Sequence, residues 1–144
     1  MMTTPLWTLL AFAAWTLIVL MLGVGTRRWI LILSRRAALT SFPGDVLHGS
    51  PAYRRATRAH ANCVENLPVY GAVVLVAETT RLVPLWMDTL AIVFMLCRIA
   101  QSCIHLMLPE TNRTVAVRFA FFFAQVVVMV WMIVAVALLG MRIV

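Results

Sequence analysis

Two sets of polar residues interrupt an otherwise apolar sequence at spacings that chemistry can use. Arg58, Asn62 and Glu65 stand at i, i+4 and i+7, so on a helix they project from one face. Arg98, Gln101 and His105 stand at i, i+3 and i+7, with Ser102 alongside, and form a second stripe. Arginine's planar fork binds carboxylates bidentately, whereas a glutamate and an asparagine suit a cation or an amide. Ionisable groups in a bilayer are costly and are kept where they find partners or a wet cavity. Two readings follow. Glu65 pairs internally with Arg58 or Arg98 to hold a bundle together, or the two stripes face one cleft that takes a small polar ligand.

The elements that must carry these stripes belong to a membrane protein. Of 144 residues, 63% are hydrophobic and 12% charged, against about a quarter charged in soluble domains. All 12 basic residues are arginines, set against 5 acidic residues, for a net charge of +7. They interrupt apolar runs instead of covering an exposed face, so the basicity argues for a membrane and against a nucleic-acid partner.

Met1 to Thr26 carries no charged side chain, and Leu6 to Gly25 supplies the ~20 apolar residues needed to cross a bilayer. It lacks the basic start and short core of a cleavable signal, so it reads as a retained helix. Phe42-Pro43-Gly44-Asp45 reads as a turn. Ser50-Pro51 is an N-cap followed by proline at the first helical position. The second helix runs to about Arg81, about 45 Å at 1.5 Å per residue, and its first turns protrude from the membrane. Pro68 predicts a kink beside Glu65. Pro84 opens a third helix, Pro109 stops it, and Asn112 caps a fourth whose Phe119 to Met141 stretch is free of charge. The pattern predicts an all-α membrane protein, a four-transmembrane-helix up-down bundle with helices at about 5–33, 51–81, 84–108 and 113–141. Arginines cluster near the first and third connections, which places both in the cytoplasm and both termini outside it.

Smaller features have plainer readings. Cys63, Cys97 and Cys103 are odd in number and lie in apolar surroundings, so they read as buried thiols. His60 and Cys63 have no further partners for a metal site, and none is expected. Trp7, Trp86 and Trp131 read as interface anchors.

The segment Arg58-Ala59-His60-Ala61-Asn62-Cys63-Val64-Glu65-Asn66-Leu67-Pro68 resembles the signature of the MAPEG family, the membrane-associated proteins in eicosanoid and glutathione metabolism. That signature is Arg-Ala-x-x-Asn-x-x-Glu with a proline three or four residues on. The resemblance extends over the chain as a single domain, 1–144, in length, span count and charge placement. It implies a homotrimer with glutathione bound between neighbouring subunits near the cytoplasmic face. Glutathione suits both polar stripes, having two carboxylates, one ammonium and two amides. The resemblance assigns Arg58, Asn62 and Glu65 to it. Ser34-Arg35-Arg36-Ala37 resembles an Arg-Arg-Ala element of one branch, which adds Arg35 or Arg36 as a carboxylate contact. Arg98 matches a family arginine, and Gln101 and His105 stand at two further contact positions.

Departures accompany the match. A glutamate common four residues before the motif arginine is Arg54 here, and a tyrosine after the motif glutamate is Asn66.

Catalysis requires a thiolate. By resemblance an arginine at the start of the fourth helix stabilises it, and Arg113 is the first candidate, favoured also by the helix dipole. Thr114 would donate a hydroxyl, and Arg118, one turn on, is the second candidate. The implied function is a glutathione-dependent transferase or peroxidase acting on a hydrophobic small-molecule substrate that enters from the membrane lipids. The alternative is a non-catalytic lipid-binding membrane scaffold.

Overall fold

The computed structural model describes residues 2–42 and 49–142. Pro43, Gly44 and Asp45 of the expected turn lie outside the described residues. The described residues form four long helices: α1 (Thr4–Leu33), α2 (Pro51–Thr79), α3 (Leu85–Met107) and α4 (Asn112–Met141). A short 3₁₀ turn, Leu39–Ser41, follows α1. There are no strands among the described residues.

Local chemistry explains where these helices begin and end. Gly49, at φ +82, delivers the chain to Ser50, whose side chain caps α2 by accepting from Tyr53 N–H at 3.3 Å. α2 continues unbroken through Pro68. α3 stops at Met107 because Leu108 precedes Pro109 and adopts an extended backbone. The cap of α4 is Thr111, one residue before the expected Asn112. It forms a capping box with Thr114, each side chain serving the other's backbone N–H. α1 and α2 end alike: Arg35 and Arg81 take left-handed conformations at φ 55 and 57. The following N–H groups, of Arg36 and Leu82, fold back onto the carbonyls of Leu31 and Ala77 at 2.9 and 2.8 Å.

α1 is not a uniform α-helix. Val19–Gly25 is π-helical, and within it Gly23 lies against α2. A Cβ at Gly23 would stand 3.2 Å from that of Ala56, a tight contact that the absence of a side chain avoids where the two helices come close.

α2 and α3 each pack against all three other helices. The core is a stack of aromatic rings: Tyr70 and Phe94 lie parallel with centroids 4.0 Å apart, and Phe12 meets Phe94 edge-on at 5.4 Å. The Tyr70 hydroxyl and the Thr8 hydroxyl are 2.7 Å apart, which satisfies the one polar atom of this layer. At the same end of α2, Thr3 hydrogen-bonds Glu78.

α1, α3 and α4 are each long and apolar enough to cross a membrane. α2 is not among them, and its first half carries Arg54, Arg55, Arg58 and Glu65. The exposed surface is itself apolar, including Leu22, Leu33, Phe119 and Trp131, as lipid-facing helices require.

Candidate functional site

The capped start of α2, the last turn of α3 and the first turns of α4 meet at one end of the bundle and bring five polar side chains into contact. Arg58 on α2 donates from Nη1 to Glu110 Oε1 at 2.8 Å. Arg118 Nη1 on α4 stands 3.8 Å from the same oxygen and donates to His105 Nδ1 at 2.9 Å. His105 Nε2 lies 3.3 Å from the side-chain amide of Asn62. The cluster thus runs Arg58, Glu110, Arg118, His105, Asn62 across three helices.

This arrangement fixes the tautomer of His105. Arginine can only donate, so Nδ1 must be the bare nitrogen and Nε2 must carry the ring proton. Nε2 then needs an acceptor, whereas the Asn62 atom placed nearest to it is the amide nitrogen Nδ2, so this contact becomes a hydrogen bond when the Asn62 amide is turned over with its oxygen toward the ring. Asn66 completes the edge by donating to the Asn62 backbone carbonyl at 3.1 Å.

A second polar group lies about one to two turns deeper. Arg98 is fully buried and its guanidinium stacks 5.4 Å from the Phe12 ring. Its Nε and Nη2 have no hydrogen-bond partner. Cys63 Sγ lies 3.7 Å from Ser102 Oγ. Gln125 on α4 donates to Gln101 Oε1 at 3.0 Å and to the Phe121 carbonyl at 2.8 Å, while its own buried Oε1 finds no donor.

The expected site residues therefore fall into three groups. Arg58, Asn62 and His105 belong to the end cluster, and Arg98 and Gln101 to the buried layer. Glu65 is exposed on α2, on a stripe with Arg58, Ala61, Val69 and Ala72. Neither of its expected internal ion pairs forms: Arg58 is bonded to Glu110, and among the described residues Glu65 has no salt bridge. Arg35, Arg36 and Arg113 are exposed and take no part in the contacts that join the cluster. Thr114 commits its hydroxyl to the backbone, to the Pro109 carbonyl at 2.7 Å and the Thr111 carbonyl at 2.9 Å.

Sequence reasoning missed Glu110 and Gln125. Glu110 gave no helical-spacing signal because it lies in a connection. Gln125 did give one, as the single amide in the charge-free run from Phe119 to Met141.

An apolar groove of 620 Å³ lies beside the exposed stripe, between α2 and α4, walled by Val69, Ala72, Val76, Ile133 and Ala137.

Long apolar helices around a hydrogen-bonded polar interior define an all-helical membrane protein with arginines gathered at one end of the bundle. Within that class the chain belongs to the MAPEG family, whose profile matches residues 4–138, nearly its whole length. No curated protein matches the chain. Membership carries a glutathione-related membrane role in general.

Proposed function

We propose that the chain is a glutathione-dependent integral membrane transferase or peroxidase acting on lipophilic electrophiles. The observation that carries this reading is the end cluster. Two residues of the family signature, Arg58 and Asn62, are joined there to His105 and Arg118 from the other two helices. In the proposed complex Arg58 holds a glutathione carboxylate, Asn62 an amide and Glu65 the ammonium.

The thiolate falls to Arg118, whose side chain is already seated in the cluster, in preference to the exposed Arg113. A guanidinium beside the sulfur favours the thiolate, the form that attacks an electrophilic carbon or a peroxide oxygen. The apolar groove between α2 and α4 offers room for the hydrophobic substrate.

The exposure of Glu65 supports a homotrimer. A carboxylate open to lipid is costly, which supports another subunit over the α2 stripe and, in this reading, glutathione between subunits. In this assembly α2 is the fourth span, the arginine-rich end is cytoplasmic, and both termini lie outside.

Calorimetric titration of the reconstituted full chain with glutathione tests the proposal, together with conjugation of a generic aryl halide. Binding at millimolar ligand or below is expected, with Arg58→Ala weakening it about tenfold or more through loss of a charge-assisted contact. Absence of binding heat at millimolar glutathione would sink the reading. The second reading, a lipid-binding scaffold, is favoured by the wholly apolar groove. Lipid retained through purification, with no thiolate absorbance on adding glutathione, would support it.

A further inference from the structure

Glu110 puts a carboxylate of the chain's own where a ligand carboxylate would go. Its Oε1 is 2.8 Å from Arg58 and 3.8 Å from Arg118, so one oxygen occupies the space between the two arginines of the end cluster. The backbone around it is pinned. Pro109 precedes it, and Thr114 bonds the carbonyls of both Pro109 and Thr111. Any displacement of the carboxylate is therefore a side-chain rotation.

A second position is ready for it. A polar cavity of 320 Å³ is walled by Pro51, Arg54, Arg55, Arg58, Pro109 and Glu110. It holds three arginines to one carboxylate, and Arg55 Nε within this region is buried without a partner. A Glu110 side chain expelled from Arg58 can turn toward Arg54 and Arg55 without losing cationic surroundings. The arginine at position 54 thus has a use beyond orienting the helix.

We propose that Glu110 is a built-in competitor for the ligand carboxylate: it occupies Arg58 when the site is empty, yields to glutathione, and so sets the affinity and favours ligands that engage both Arg58 and Arg118. The proposal rests on the reading of Arg58 as a carboxylate contact. Arg58 and Glu110 are both about half exposed, with side-chain exposures of 48% and 44%. The pair is therefore weak enough to be displaced.

The test is glutathione titration of the full chain in lipid nanodiscs, for the unaltered protein, Glu110→Gln and Glu110→Ala, at low and high salt. Both variants should bind glutathione about two- to fivefold more tightly, the range set by an exposed ion pair. Their advantage should shrink at high salt because the competing pair is screened. Unfolding midpoints close to the unaltered protein's establish that both variants fold. Unchanged or weaker binding in folded variants overturns the role of Glu110 and leaves the glutathione reading standing. No binding to any of the three proteins overturns both.

Discussion

Two layers of the bundle, about three turns apart along α3, meet the need for polar satisfaction in opposite ways. Around Phe94, rings from α1, α2 and α3 stack on one another, and the single hydroxyl of Tyr70 is answered by Thr8. Around His105, polar side chains from α2, α3, α4 and the connection before α4 hold one another, and two of them reach the surface. Arg98 lies between, resting its guanidinium on Phe12 of the first layer while two of its nitrogens, Nε and Nη2, stay unpaired. The first layer has one arrangement and serves the fold. In the second, the proposed exchange of Glu110 for a ligand carboxylate at Arg58 would change partners without changing the fold.

Separating the two layers by mutation tests that division, beginning with the largest effect. Phe94→Ala removes the ring at the centre of the aromatic stack and should cost about 3–5 kcal/mol of stability. Thermal unfolding of the detergent-solubilised chain measures it. Glutathione affinity per folded molecule should stay within about twofold on this reading, and a cost below about 1 kcal/mol would show that the stack is not what holds the bundle. Next comes Arg118→Ala, which should leave the fold nearly intact and lower conjugation about 10- to 100-fold, as expected for losing a charged hydrogen bond at the reacting sulfur. Arg113→Ala should fall within about threefold of the unaltered protein, since exposed side chains contribute little. The opposite ranking would transfer the thiolate to Arg113. Smallest is Thr111→Ala, which removes the α4 cap for about 1 kcal/mol. It should lower the unfolding midpoint by a few degrees while conjugation persists.

Much of the helical layout could be read in advance because its signals are local. Ser50 before Pro51 specifies a cap, and the cap forms. Pro109 forbids its predecessor a helical backbone, and Leu108 is extended. The end cluster was legible only in part. Spacing placed Arg58 and Asn62 on one face, but their partners come from α3, α4 and a connection, and no periodicity links residues 52 positions apart such as Arg58 and Glu110. The expected pairing of Glu65 failed for the same reason, since charge alone could not show that Glu110 would reach Arg58 first. Arg113 and Arg118 differ by how far α4 has turned at each residue. The structure turns Arg118 inward, with 11% of its side chain exposed, and leaves Arg113 outside.

In the language of waves, the π-helical segment of α1 is a phase slip. The buried positions of that helix run Phe12, Thr16, Val19 and then Val24, followed by Arg28, whose Nε donates to the Tyr53 hydroxyl at 2.6 Å. The steps are four, three, five and four residues, and the long step falls within Val19–Gly25, where each turn takes up extra chain. An uninterrupted α-helix that aimed Phe12 at the aromatic stack would bring position 23 inward and turn position 24 away, whereas here Gly23 lies against Ala56 and Val24 is buried as well. The slip keeps both ends of α1 in phase with the rest of the bundle: the Phe12 end with the stack, and the Arg28 end with the start of α2.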